Sequence, residues 1–184
     1  MLLLGGLLVL GLLGGAAWFM FNELNLSLNP ATAEDLAHSM MDYELPNGER
    51  GLMSSPDLLG AEVAVVQSQG ADATTTLMLG KVPPAAQDDW GTQPADFLDI
   101  FNDEEIFAVN EIEIKSTVTE ERSLCDETAT VRLSTGIEEF TNDPATVYEA
   151  IVLKDGFIYL VSLSATGTDH ATKAEQVFGT LNCQ

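Results

Sequence analysis

The first 22 residues, Met1 to Asn22, carry no charged side chain, and this limits what the rest of the chain can be. Leu2 to Phe21 supplies about 20 residues, which at ~1.5 Å rise per residue just cross a ~30 Å hydrocarbon core as a helix. Hydrocarbon offers the backbone no hydrogen-bond partner, so a spanning segment has to pair its own N–H and C=O groups. Trp18, Phe19 and Phe21 fall where an aromatic belt meets water, just ahead of the first charge, Glu23. The chain reads as a transmembrane anchor over residues 1–22, a linker over 23–31 and a domain over 32–184.

A cleaved signal peptide is the rival reading. Gly15-Ala16-Ala17 would suit a signal peptidase, but no Lys or Arg supplies the basic start that such peptides use. The reading adopted is an uncleaved anchor in the lipid bilayer. Gly11, Gly14 and Gly15 lie on one helical side, and Gly11 with Gly15 forms a small-xxx-small pair that permits close approach of a neighbouring helix. The expected partners are therefore integral membrane protein subunits. All 29 acidic and all 7 basic residues follow the anchor. So negative a domain is disfavoured against an anionic inner leaflet. The orientation read is N-in, C-out, with the domain on the periplasmic side of a bacterial inner membrane.

The formal net charge of −22 excludes a nucleic-acid partner, because phosphate binding needs a basic stripe. The acidity fits a saline exterior, where charge is screened within ~8 Å, or docking onto a basic surface, or solubility alone. Cys125 and Cys183 are the whole cysteine complement. A pair in an extracytoplasmic domain points to a disulfide, which would pin the carboxy terminus to the sheet.

Asn25-Leu26-Ser27-Leu28 continues an alternation begun at Leu24, which is strand periodicity. Leu24, Leu26 and Leu28 could lie along the domain itself or on a partner's sheet edge. Thr32 reads as the N-cap of a short helix running to about Tyr43, with Leu36, Met40 and Tyr43 on its apolar side. Leu45-Pro46-Asn47-Gly48 is a turn by its chemistry. Glu62–Ser68 and Thr74–Val82 read as a hairpin, ended by Pro83-Pro84. A helix is predicted over Pro94–Glu104, packing Trp90, Phe97, Phe101 and Phe107. Strands follow over Val109–Glu121, with a bend near Lys115, and over Thr128–Thr135, Thr146–Lys154 and Phe157–Ala165. Asp155-Gly156 is the strongest hairpin signal in the chain. Asp169 reads as the cap of a last helix, whose stripe is Ala174, Val177, Phe178 and Leu181. The fold class is α+β: an antiparallel sheet with flanking helices, behind one transmembrane helix.

An anchor, a short helix ending in Asp42-Tyr43-Glu44-Leu45-Pro46-Asn47-Gly48, and a closing Lys154-Asp155-Gly156 hairpin plus helix resemble a group of uncharacterised single-pass bacterial envelope proteins. From Leu45 onward the element order is also similar to the extrinsic photosystem II protein fold. These resemblances imply an extracytoplasmic domain with an accessory role, in a photosynthetic or respiratory complex on the second likeness. Neither brings a catalytic residue with it.

Asp88-Asp89, Asp103-Glu104-Glu105, Glu120-Glu121, Asp126-Glu127 and Glu138-Glu139 lack the alternating-oxygen loop of an EF-hand and read as solvated surface. His38 and His170 belong to no His-x-x-x-His or Cys-x-x-Cys unit. No Gly-x-Ser-x-Gly elbow or phosphate loop occurs in the domain. The sequence therefore predicts no catalytic, metal or cofactor site. It predicts a non-enzymatic accessory subunit of a larger membrane complex, the alternative being a free-standing envelope protein that binds a small ligand or divalent cation.

Overall fold

β-rich runs dominate the described residues from Glu49 onward, and they build one seven-stranded sheet beside a two-residue ribbon. The computed structural model describes residues 25–58, 60–70, 74–87 and 111–184. The anchor read over residues 1–22 and the helix read over Pro94–Glu104 lie outside the described residues. Among the described residues no helix is long and apolar enough to cross a membrane.

The chain runs through helix α1 (Pro30–Met40), strands β1 (Met41–Asp42), β2 (Glu49–Leu58), β3 (Ala61–Ser68) and β4 (Thr75–Val82), and a one-turn helix α2 (Pro84–Gln87). It then forms β5 (Ile112–Leu124), β6 (Glu127–Glu138), β7 (Pro144–Lys154), β8 (Phe157–Thr166), helix α3 (His170–Phe178) and β9 (Asn182–Cys183). Seven strands make one sheet in the order β2-β3-β4-β8-β7-β6-β5, with every pair antiparallel. It is two meanders, β2–β4 and β5–β8, joined where β4 pairs with β8. The α+β class read from the sequence describes this layer of sheet and helices.

Period-two alternation sorts the side chains. One cross-strand row is Val118, Leu133, Tyr148, Leu163, Leu77 and Val66. On this face α1 lies over β2 and β3, and α3 over β7 and β8. Between helices and sheet sits the main core, including Ala37, Met40, Leu79, Val131, Val161, Val177 and Phe178. Each fully buried Val or Leu side chain contributes roughly 1.5–3 kcal/mol. A smaller cluster (Leu58, Ala61, Val63, Val82, Ile158 and Leu160) lies on the other face, with Ala86 of α2 against it.

Several local readings need correction. The N-cap of α1 is Asn29, not Thr32: its side chain accepts from the Ala31 N–H at 3.1 Å, and Pro30 takes the first helical position, where its missing N–H costs nothing. The helix stops at Met40, because Met41–Asp42 pair with Asn182–Cys183. β2 is a strand that the sequence reading lacked. Asp169 precedes α3 in a left-handed conformation (φ 61°) and its side chain makes no capping bond. The bend expected near Lys115 is a register shift between Ile114 and Ser116. Asp155 and Gly156 both take positive φ, the geometry of a two-residue hairpin turn.

Candidate functional site

Cys125 and Cys183 are bridged, with Cα atoms 5.1 Å apart. Cys125 (φ 58°) and Asp126 (φ 62°) form the tight β5–β6 turn, and Cys183 lies on β9. The Tyr159 hydroxyl donates to the Gln184 carbonyl at 2.7 Å, and Gln184 N–H donates to the Met40 carbonyl at 3.0 Å. The carboxy terminus is thereby tied to both the sheet and α1.

Polar side chains gather in three further places. Alternation along β5 turns Glu120 and Arg122 to the helix face, just before Leu124 goes under the core. Arg122 Nη1 donates to both carboxylate oxygens of Glu175 on α3, at 2.9 and 2.7 Å, and its Nε donates to Glu120. The guanidinium lies 5.1 Å from the Tyr148 ring centre and 5.7 Å from that of Phe178. The Tyr148 hydroxyl donates to Glu175 Oε2 at 2.7 Å. The Tyr148 bond and then the Arg122 bond hold the Glu175 carboxyl below its ordinary range, and Glu175 raises Arg122 in turn. Burial first, then the hydrogen bond to Glu175, pushes Tyr148 up to about 12. The set is mutually satisfied and clasps α3 to β5.

The second group joins α1 to β2. His38 Nε2 donates to Glu49 Oε1 at 2.6 Å and its ring stacks on Tyr43, 4.6 Å between centres. Glu34 Oε1 accepts the Gly51 N–H at 2.8 Å. Among the described residues the buried Tyr43 hydroxyl has no hydrogen-bond partner. Burial, and then the carboxylate of Glu49, push its pKa upward.

Both tyrosines therefore hold their protons more tightly when folded. Their contribution to stability is complete below the unfolded value of about 10 and declines as pH rises toward the folded values. Urea midpoints are expected to fall between pH ~10 and about 12, where the unfolded chain's phenol ionises while that of native Tyr148 is still protonated. Tyr148→Phe should make that fall shallower; an unchanged profile would remove Tyr148 from the account.

The third group is the β6–β7 turn. The buried Glu138 carboxylate accepts from Phe140 N–H (3.2 Å), Thr141 N–H (2.7 Å) and Thr141 Oγ1 (2.5 Å), and these bonds, the hydroxyl's first, lower its pKa. The phenyl ring of Phe140 stands 79% exposed.

Ser27 exchanges backbone hydrogen bonds with Ser54 (2.7 and 2.9 Å), so this strip lies along the domain's own edge strand β2. Leu26 is half-buried and Leu28 is exposed. Gly11, Gly14, Gly15, Trp18, Phe19, Phe21, Leu24, Trp90, Phe97, Phe101, Phe107, Asp88-Asp89 and Asp103-Glu104-Glu105 lie outside the described residues. His170 Nδ1 pairs with Thr146 Oγ1 at 2.7 Å. Glu121 accepts from Thr130 Oγ1 at 2.9 Å, and Asp126 faces Lys154 Nζ at 3.9 Å. Among the described residues no three His, Cys, Asp or Glu side chains form a metal-holding group. The Arg122–Glu175–Tyr148 clasp and the Phe140 turn escaped the sequence reading. The clasp joins residues 53 apart, which no local spacing encodes.

No family model and no curated protein matches the chain. Among solved structures it is similar to LpqN, involved in cell envelope biogenesis of Mycobacterium tuberculosis. The identity is 13% and the TM-score 0.41, over 78% of this chain and 83% of that one. Likeness of that degree passes no role from that protein to this chain.

Proposed function

We propose that this chain is a non-catalytic accessory subunit of a larger membrane complex, tethered by one helix with its acidic domain on the periplasmic side. The observation that carries this reading is the Cys125–Cys183 bridge, in a domain that follows an uncharged stretch long enough to span a bilayer. Disulfides persist in oxidising compartments, which favours a domain held outside the cytoplasm. The self-satisfied character of the Arg122–Glu175–Tyr148 set supports a structural use for it. Nothing in that arrangement calls for a cofactor.

Helix packing is the proposed mode of retention, with Gly11 and Gly15 against a neighbouring transmembrane helix. Wild type solubilised in mild detergent should co-purify with integral membrane subunits, and Gly11→Leu with Gly15→Leu should lose most of them. Full stoichiometry in the double variant would overturn the packing mode. A wild type that purifies alone would overturn the accessory role.

A further inference from the structure

We propose that the sheet corner around Phe140 is the docking site for a partner protein presenting an apolar pocket bordered by lysine and arginine. This rests on the accessory-subunit reading above and names the surface and the partner chemistry. A phenyl ring 79% exposed at a turn would ordinarily be a loose end. Here the turn beneath it is built. Glu138 holds the backbone N–H groups of Phe140 and Thr141, its own N–H donates to the Asp143 carbonyl, and Asn142 N–H donates to the Glu138 carbonyl, both at 2.9 Å. Asn142 completes the turn at φ 59°. The backbone that carries the ring is fixed by these bonds, so the ordering cost when a pocket closes on it is confined to the side chain's own rotamers.

The corner continues onto β5. Glu139 N–H donates to the Glu111 carbonyl at 2.8 Å, Ile112 pairs with Glu138, and Ile114 pairs with Gly136. Ile114, two residues further along β5 from the turn than Ile112, is 47% exposed. At the turn itself Glu111 and Glu139 are exposed and Asp143 half so; on β5 alternation turns Glu113, which is paired with Lys115, to the face opposite Ile114. An aromatic anchor inside a charged rim is the anatomy of a protein-binding hot spot.

The rim's sign selects the occupant. A second copy would bring the same carboxylates against these in a self-complementary contact, between chains of net charge −22. Anionic lipid headgroups are repelled for the same reason. The corner also lies at the sheet edge opposite the linker segment around Ser27. Ser27 is bonded to β2 and Ile114 lies on β5, at opposite edges of the seven-stranded sheet. Six strand spacings of ~4.8 Å put roughly 29 Å between those edges. A partner surface with a basic rim meets both the charge and the position.

The test uses the full chain in its native membrane, with a photoreactive benzophenone side chain at position 140 and, as control, at the exposed Leu153. Position 140 is expected to cross-link to one protein, at a peptide with apolar residues flanked by Lys or Arg. Leu153 should not give that product. Phe140→Ser should weaken capture of that protein at least about 30-fold, as expected for loss of a hot-spot aromatic. It should leave the thermal midpoint unchanged, and Glu139→Lys should weaken capture less and reduce its salt sensitivity. A cross-link to lipid or to a second copy, equal products from position 153, no product from 140, or undiminished capture by Phe140→Ser would each overturn the site. The two readings fail separately. If wild type migrates in a complex that Phe140→Ser leaves intact, only the docking site falls; if wild type migrates alone, the accessory role falls with it.

Discussion

Loss of the Cys125–Cys183 bridge is expected to destabilise the domain by about 4 kcal/mol. The bridge spans a sequence separation of 58 residues, and the chain-entropy relation for a loop of that length gives this figure, with strain and denatured-state structure moving it within roughly 2–5 kcal/mol. Set against a total folding stability of about 5–15 kcal/mol, that is a large fraction. The effect will not be spread evenly. β9 is two residues long and holds to β1 by the pairs Met41↔Cys183 and Asp42↔Asn182, so without the bridge this short ribbon rests on those pairs and on the bonds of Gln184 to Tyr159, Met40 and Asp42. Amides of β1 and β9 should exchange first and those of β4 and β8, at the centre of the sheet, last. Urea melts of the Cys125→Ala, Cys183→Ala double variant beside the unreduced domain measure the total, and hydrogen exchange measures the distribution. A shift below about 1 kcal/mol would show that tertiary packing already constrains this terminus.

What could be read from the sequence follows from how local each signal is. β3, β4, β7 and β8 carry continuous β-rich apolar runs between turn residues, and the Asp155-Gly156 turn takes the positive φ values that this dipeptide permits. The stripe Ala174, Val177, Phe178 and Leu181 is buried as its spacing requires. β2 was illegible for an equally physical reason. Gly51, Ser54, Ser55 and Pro56 break the alternation, and register shifts between Gly51 and Met53 and between Ser55 and Leu58 reset which side faces the core. The β5–β6 hairpin was hidden because Cys125-Asp126 is a poor advertisement for two left-handed residues. Asn29-Pro30 carried a usable helix-start signal, a cap residue followed by proline at the first helical position, and Thr32 two residues later masked it. The clasp around Arg122 and the exposure of Phe140 have no local signature, since both depend on which strands become neighbours and on where the sheet ends.

The same illegible strand holds the second large effect. Replacing Gly51 by Val should cost about 3 kcal/mol or more, with Gly51→Ala not far behind. A Cβ at this position would strike the backbone carbonyl of Pro30 and come within 2.8 Å of Ala33 Cβ. The carbonyl is fixed in the first turn of α1, between the Asn29 cap and the following helical bonds, so it has no rotamer into which to retreat. Relief has to come from lifting the start of α1 off β2. That movement uncovers Ala33 and Ala37, both fully buried, and disturbs Met40 and the β1 pairing that follows it. It also pulls Glu34 from the Gly51 N–H, leaving a buried donor without its carboxylate. By contrast, Gly48 and Gly70 have open space where a Cβ would go, and their cost on substitution comes from positive φ alone, about 1 kcal/mol each. Thermal or urea melts of the three alanine variants therefore separate contact from conformation. If Gly51→Ala unfolds no earlier than Gly48→Ala, the close seat of α1 on β2 is not what sets the stability of this half of the sheet.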